Sequence, residues 1–375
     1  MTQWRPSAGL NRRPADPLSA VLAQPRLLAG LDLAGWDVVV RRARETALLG
    51  AVAHLARESV GWDAVPERPR RHLSGARRVA RGNALALAWE LECLEEPLSR
   101  LDAAPVLLKG AAYVAAGLPN AAGRIANDVD LLFPRDRLPR VESLLGWKGW
   151  VSSHLDAYDQ RYYRRWMHEL PPMRHARRGT TLDIHHNIVP ETFAVHPDPA
   201  RLLEQAVPVP GWPAYRVLCP AHMVLHAAAH LFSETEWDLA LRDLYDIHCL
   251  AGCFAARDGE QFWLHLLEEA EALDLGRLLF YALRHAARRF ATPVPDEAAA
   301  RLRLAGPGPL RLAVLDAAFD GGFRPRAASS TGGRDAVARG VLFLRGHWLK
   351  MPPWLLARHL FHKAILARTK DRDGE

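Results

Sequence analysis

The stretch Asp128-Val129-Asp130-Leu131-Leu132-Phe133, which Pro134 follows, decides the fold. Its three consecutive large apolar residues predict a buried strand, and the proline ends that strand. Alternate residues of a strand face the same side, so Asp128 and Asp130 can reach one site. Two acids at the tip of a buried strand are costly unless a cation pairs with them, and Mg²⁺ prefers carboxylate ligands. Taken alone, this spacing is also common at the solvated end of a strand, which is the competing interpretation.

Two further apolar segments predict strands on either side of this one. Val106-Leu107-Leu108 ends at Lys109-Gly110, and Leu182-Asp183-Ile184 lies in a second apolar segment. Because Asp183 stands between two large apolar residues, its side chain points to the opposite face of the sheet. Two interpretations stay open: Asp183 joins the first two carboxylates around metal ions, or it is a satisfied acid on an edge strand.

Helical spacing of apolar residues dominates both flanks of these strands. Helices are predicted over residues 36–60, 75–100, 111–116, 138–145, 221–232, 239–251, 261–273, 277–290 and a stretch after Pro352-Pro353. Seven prolines from Pro190 to Pro220 predict an extended crossover. The predicted fold is therefore α+β and mostly helical by residue count. We expect an N-terminal helical region (1–99), a core that holds the strands (100–190) and a C-terminal helical region (191–375) ending in a basic tail helix.

The composition is that of an ordinary globular protein, with 49% hydrophobic and 24% charged residues. No run approaches the roughly 18 apolar residues of a membrane span, and the first residues lack the apolar core of a secretory signal. Four cysteines in 375 residues make no disulfide framework, so we expect a reducing cytoplasm. The net charge of +7 favours an anionic partner, but the arginines are spread along the chain and predict no dedicated nucleic-acid platform.

Several function classes lack their sequence signature in this chain. Neither a Walker A motif nor a dinucleotide-binding glycine pattern is present. The absence of any His-Asp dipeptide counts against a phosphohydrolase of the His-Asp type. Cys249 and Cys253 lack the matching pair of ligands that a structural zinc site needs.

Three motifs together resemble the bacterial family of uncharacterised nucleotidyltransferases, within the DNA polymerase β-like superfamily. They are Val106-Leu107-Leu108-Lys109-Gly110-Ala111-Ala112, Arg124-x-x-x-Asp128-Val129-Asp130-Leu131-Leu132 and Leu182-Asp183-Ile184-His185. The resemblance extends to Gly35-Trp36-Asp37, to the four-residue steps of His222, His226 and His230, and to residues 241–247. It therefore covers roughly residues 35 to 290.

The resemblance implies a mixed sheet in which Asp128 and Asp130 ligate two Mg²⁺ ions, or Mn²⁺, with Asp183 as the third ligand. A nucleoside triphosphate such as ATP would bind with its β- and γ-phosphates near Lys109-Gly110. An acceptor hydroxyl, deprotonated near Asp183, would attack the α-phosphorus and expel pyrophosphate. The superfamily typically carries Gly-Ser at the phosphate loop, whereas this chain has Lys109-Gly110-Ala111. The ammonium group of Lys109 then replaces the serine contact as a point charge.

Further nucleotide-binding candidates are Arg124, His226, His230 and Asp246. Arg124 either clamps phosphate or pairs with the acids. The histidines share one face of a helix, where they line the cleft or lie half-buried in preference to binding a metal ion. Asp246 either binds the base or ribose or pairs with Arg242.

The expected function is Mg²⁺-dependent transfer of a nucleoside monophosphate group to an unidentified acceptor hydroxyl. A protein side chain, an RNA end and a small molecule all remain open as acceptors. The alternative is a non-catalytic module with the same fold, which binds a nucleotide or a partner protein. The apolar and basic residues of 354–368 predict a tail helix that docks on the protein body, with contact to a membrane surface as the less favoured alternative.

Overall fold

A computed structural model describes residues 16–153, 156–325 and 332–350. Its centre is a sheet of seven strands: β1 (Val106–Leu108), β2 (Asp128–Leu132), β3 (Trp150–Ser152), β4 (Met173–His175), β5 (Thr181–His185), β6 (Val207–Val209) and β7 (Trp212–Val217). The strand order is β3-β4-β5-β2-β1-β7-β6. The sheet is mixed, because β2 runs parallel to β5 and β1 to β7 while the other pairs are antiparallel.

Helices precede and follow the strands along the chain, and they make up most of the fold. Before β1 come α1 (Pro17–Ala23), α2 (Leu33–Glu45), α3 (Leu49–Ser59) and α4 (Glu67–Leu98). Among the strands lie α5 (Lys109–Ala115), α6 (Leu138–Trp147), α7 (Ala157–Trp166) and α8 (Pro199–Glu204). After β7 come α9 (Pro220–Ser233), α10 (Ala240–Asp258), α11 (Glu260–Ala272), α12 (Gly276–Phe290), α13 (Asp296–Ala305), α14 (Pro309–Gly322) and α15 (Gly332–Lys350). The predicted α+β class, with a mixed sheet between helical regions, is confirmed.

Three predicted segments differ from the structure, the first being the helix predicted over 75–100, which begins at Glu67. The single helix over 36–60 is wrong, because α2 ends at Glu45 and the left-handed φ of 56° at Ala47 interrupts the helix before α3 begins at Leu49. The proline-rich crossover contains α8 and the hairpin of β6 and β7. Pro208 is tolerated there because β6 is the edge strand of the sheet, where a missing N–H group breaks no ladder.

Other predictions stay open or are incomplete. The helices α13, α14 and α15 were not predicted, and the tail helix after Pro353 lies outside the described residues. The division into regions at 99/100 and 190/191 stays a prediction. Within the described ranges, no helix combines the length and the apolar character that a membrane crossing requires.

The long helix α4 is tied to the sheet through two adjacent residues, Glu90 and Leu91. The Tyr215 hydroxyl of β7 donates to the Leu91 carbonyl of α4, at 2.6 Å. At the β4–β5 turn, Arg178 and Thr180 donate to the buried Glu90 carboxylate of the same helix. Because Glu90 and Leu91 are adjacent, these contacts fix one turn of α4 to strands on both sides of the β1–β2 pair.

Candidate functional site

The three predicted acids lie on one face of the sheet because of how β2 and β5 pair. The two strands are parallel, and Asp130 stands directly opposite Asp183. Asp128 precedes Asp130 by two residues, so its side chain leaves the strand on the same side. The register of two buried strands therefore brings together residues that are more than fifty positions apart in sequence.

The surroundings of Asp183 favour a positively charged partner. Its Oδ1 atom is buried and has no hydrogen-bond partner within the described residues. Burial, together with the negative charges of Asp130 and Glu169, raises the pKa of Asp183 to about 7. Burial and the neighbouring Asp130 also raise the pKa of Asp128. Converging carboxylates with an orphaned oxygen are a suitable environment for a divalent cation with oxygen ligands.

Asp130, in contrast, has two partners from the protein itself. Its Oδ1 atom accepts hydrogen bonds from Lys109 Nζ at 2.7 Å and from His185 Nε2 at 3.0 Å. Burial of this side chain, which is 1% exposed, favours the neutral acid. Lys109 and His185 outweigh that effect and hold the pKa of Asp130 well below its usual range. Burial likewise disfavours the charge on Lys109, but Asp130 overcomes it and raises the lysine pKa.

The turn after β1 delivers Lys109 to this position. Leu108 is paired with Asp130 across β1 and β2, so the next residue emerges beside the carboxylate. Lys109 has a φ of 44°, in the left-handed region that is unfavourable for a residue with a side chain. Strain of this kind persists only where the surrounding structure enforces it, and it is concentrated at functional sites.

Gly110 allows the chain before β2 to approach the turn closely. A Cβ atom at this position would lie 2.8 Å from Ala126 Cβ and 2.9 Å from Arg124 Nη1. The approaching segment is fixed by Asn83 of α4, whose side-chain amide donates to the Ala126 carbonyl at 2.7 Å and accepts from the Ala126 N–H at 2.8 Å. Asn83 therefore sets the path of the chain into Asp128.

A cleft of about 170 Å³ opens between this edge of the sheet and the helices α9 and α10. Six of the predicted site residues line it: Lys109, Gly110, Arg124, Asp128, His230 and Asp246. Tyr113, Asn127, Arg242 and Asp243 are further polar lining residues. In the cleft, one acid of the sheet therefore lies near cationic groups from the sheet edge and from the helices. This arrangement fits an anionic ligand with a metal counter-ion.

Arg124 is held by the acids of α10 and not by the acids of β2. Its Nε donates to Asp246 Oδ2 at 2.9 Å, and its guanidinium lies over the Tyr113 ring, 5.5 Å from the ring centroid. The other oxygen of Asp246 accepts from Asn120 Nδ2 at 3.1 Å. Arg242 pairs with its neighbour Asp243 instead of with Asp246. Both carboxylate oxygens of Asp246 are therefore occupied in positioning Arg124 and Asn120.

The three histidines of α9 occupy different environments. His230 lines the cleft. His226 is 4% exposed, and burial, followed by the charge of Lys109, keeps its pKa well below the usual value. His222 points away from the site, where its Nε2 contacts Glu269 Oε2 at 2.7 Å. The expectation that these histidines line the cleft or lie buried fits this arrangement.

Sequence reasoning missed Asn83, Asn120, His168 and Glu169. The two asparagines act on segments that are distant in sequence, so no local pattern identifies them. His168-Glu169 lies in a stretch without helical or strand periodicity, yet Glu169 forms an isolated antiparallel bridge with His185. An acid beside a histidine, just ahead of the predicted strand pair, was the available signal.

Comparison with known proteins gives a family and no individual relative. A family model described as an uncharacterised nucleotidyltransferase matches residues 32–291. Neither the curated proteins nor the solved structures contain a match. The matched range holds the whole sheet and every residue that lines the cleft.

Proposed function

The chain belongs to the uncharacterised nucleotidyltransferase family, and from this premise we propose that it transfers a nucleoside monophosphate group from a nucleoside triphosphate to an acceptor hydroxyl with Mg²⁺. The observation that carries the proposal is the pairing of Asp130 with Asp183 in register, together with a buried Asp183 oxygen that no described residue contacts by a hydrogen bond. When bound, Mg²⁺ would neutralise the phosphate charge and acidify the acceptor hydroxyl.

The residues that would hold the metal are Asp128, Asp130 and Asp183. All three project from the same face of β2 and β5, and burial together with mutual repulsion raises the pKa of two of them. Carboxylates are the preferred ligands of Mg²⁺, and Mn²⁺ accepts the same donors. This donor set therefore fits the ion that a nucleotidyl transfer requires.

The triphosphate would bind at Lys109 and Gly110. An ammonium group has three N–H donors, and Asp130 accepts one of them, so two remain for phosphate oxygens. The Lys109 side chain is 24% exposed, where it borders the cleft. Arg124 contributes a second cation, which Asp246 holds in place through the hydrogen bond that it accepts from Nε. Two fixed cations suit the β- and γ-phosphates, since neither has to be ordered on binding.

The nucleoside would occupy the part of the cleft that α9 and α10 border. His230 offers an imidazole there, while the buried His226 supports the wall behind it. Asp246 serves the nucleotide indirectly, because both its oxygens already hold other side chains. The acceptor hydroxyl would enter beside Asp183, on the β5 side of the site. A protein side chain, an RNA end and a small molecule are all compatible with this arrangement.

One observation favours a second candidate, a non-catalytic module that binds a nucleotide or a partner protein. The Lys109 ammonium already neutralises Asp130, so this carboxylate does not need a metal ion for its own stability. A module of this kind would bind a triphosphate through Lys109 and Arg124 with little dependence on Mg²⁺. The two candidates therefore differ in metal dependence and in turnover.

The test is incubation of the purified chain with each α-labelled nucleoside triphosphate and cell lysate, with and without Mg²⁺. We expect label in an acceptor only when Mg²⁺ is present, and none with Asp128→Asn, which removes ligand charge and little volume. Thermal shift measurements on the same samples report binding. Nucleotide binding that is independent of Mg²⁺, with no transfer of label in any fraction, would favour the non-catalytic module.

A further inference from the structure

Three side chains of metal-ligand type meet beside the acidic site: His168, Glu169 and His185. One ligand atom from each lies within 4.8 Å of the others. Among the described residues, these three therefore form a group that could hold a metal ion. His185 Nδ1 is 3.4 Å from Glu169 Oε2. The two imidazole rings stand 5.2 Å apart, measured between centroids. None of the three lines the cleft described above.

The backbone holds these residues in place before any ligand binds. The segment of His168 to Leu170 runs alongside β5, and Glu169 is bridged to His185. The Leu170 N–H donates to the Ile184 carbonyl at 2.8 Å, and the His186 N–H donates to the His168 carbonyl at 2.8 Å. A ligand set on paired backbone segments costs little ordering entropy on binding.

The hydrogen bonds leave His185 with an unmatched nitrogen. Its Nε2 faces Asp130 Oδ1, and a carboxylate only accepts, so Nε2 carries a proton. In the neutral ring Nδ1 then presents a lone pair. That atom is buried, has no hydrogen-bond partner in the part of the chain that the structure describes and faces an oxygen of Glu169. Among the same residues, His168 Nδ1 is also buried without a partner. A proton on His185 Nδ1 would satisfy that nitrogen alone, whereas a cation held by the three side chains would be shared by all of them.

The donor set selects the kind of ion. Two imidazole nitrogens and one carboxylate suit Zn²⁺ and related transition metals, while Mg²⁺ prefers oxygen alone. Ligands at about 2.0–2.1 Å from a tetrahedral zinc ion stand roughly 3.4 Å apart. The separation of 3.4 Å between His185 Nδ1 and Glu169 Oε2 matches this value. The hydrogen bond from His185 Nε2 to Asp130 is the carboxylate contact that orients histidine ligands of metals.

We propose that His168, Glu169 and His185 form a binding site for a divalent transition-metal ion of the zinc class, separate from the Mg²⁺ site. Three protein ligands leave a fourth coordination position open. Because His185 bridges the ion and Asp130, metal binding at this site fixes the orientation of a carboxylate in the acidic site. The proposal goes beyond nucleotidyl transfer and does not depend on it.

The test measures zinc bound to the full chain, so it needs no activity. Protein stripped with a chelator is titrated with Zn²⁺ against a competing metal indicator, with millimolar Mg²⁺ present to saturate oxygen sites. We expect one equivalent bound tightly, and at least a tenfold loss of affinity in Glu169→Gln and His168→Ala. Co²⁺ in place of Zn²⁺ should give visible absorption bands without thiolate charge transfer. Circular dichroism checks that the variants stay folded, and Glu169→Gln conserves volume.

Cys249→Ser is the matched control. Cys249 and Cys253 lie four residues apart on α10 and are both free, so they are the competing zinc ligands. This variant should bind zinc as the parent does. The proposal is overturned if the parent binds no zinc under these conditions, if Glu169→Gln and His168→Ala bind it unchanged, or if only Cys249→Ser loses it.

Discussion

Replacing Gly110 with alanine tests whether the turn after β1 is built around close contact with the segment before β2. A Cβ atom at position 110 would lie 2.8 Å from Ala126 Cβ and 2.9 Å from Arg124 Nη1. Carbon atoms pack at about 3.5–4.0 Å, so the first contact is short by roughly 0.7–1.2 Å. Neither neighbour moves freely, because Asp246 holds the Arg124 guanidinium and Asn83 holds both backbone groups of Ala126.

Overpacking of this kind costs about 1–3 kcal/mol, and we expect the upper part of that range because both neighbours are held. The displaced segment leads directly into Asp128, so affinity for Mg²⁺ with a nucleoside triphosphate should fall as well. Urea-induced unfolding measures the stability, and isothermal calorimetry measures the affinity.

The control for Gly110→Ala is Gly82→Ala on the exposed side of α4. A Cβ atom there meets nothing within 4 Å, so the change should raise the free energy of unfolding by about 0.5–1 kcal/mol. If Gly110→Ala is as stable as the parent and binds nucleotide equally well, the close contact at the turn has no energetic role and the reasoning fails.

Three further changes test the surroundings of the site. Lys109→Met should weaken triphosphate binding about 10- to 100-fold and monophosphate binding far less, because a charge-assisted contact is worth about 1.5–3 kcal/mol. Calorimetry measures both affinities, and equal weakening of both would assign Lys109 a structural role. Asn83→Ala should lower the free energy of unfolding by about 1–3 kcal/mol, since it leaves the N–H and carbonyl of Ala126 without partners, and an unchanged urea midpoint would contradict this. The hydrogen bond from Arg201 outweighs the effect of burial and lowers the pKa of Glu269 to about 2. Because its pKa in the unfolded chain is about 4.3, the ionised Glu269 stabilises the fold fully above that pH. That stability is lost as the pH falls through about 2, so Glu269→Gln should be less stable at pH 7 by about 1.5–3 kcal/mol, and the difference in unfolding free energy should shrink between pH 4 and pH 2.

Local patterns were sufficient for the strands that carry the acids. The apolar run after Asp130 predicted β2, and the alternation around Asp183 predicted which way that acid points. Both features depend only on the two-residue period of a strand and on burial. Most of the predicted helices followed from spacing in the same way, apart from the break at Ala47, where one left-handed residue interrupts a continuous apolar pattern, whereas α13, α14 and α15 were missed.

The features that remained unpredicted depend on contacts across the chain. Arg124 meets Asp246 over a separation of 122 residues, and neither residue carries a local sign of its partner. The same holds for Asn83 and the backbone of Ala126, 43 residues apart. The hairpin of β6 and β7 was hidden because prolines favour loops, and only an edge position in the sheet makes Pro208 acceptable.

The proposed nucleotidyl transfer is tested most directly by Asp183→Asn, measured for binding and turnover on the same preparation. The change keeps the volume of a side chain whose pKa burial already raises and whose Oδ1 has no partner across residues 16–153, 156–325 and 332–350, so the fold should be preserved. Calorimetry gives the affinity for Mg²⁺ with a nucleoside triphosphate, and transfer of α-label to the acceptor gives turnover. We expect an affinity within a few-fold of the parent and no transfer, because Asp183 acts on the acceptor side of the site. Asp128→Asn should lose both. Undiminished transfer by Asp183→Asn would contradict the account.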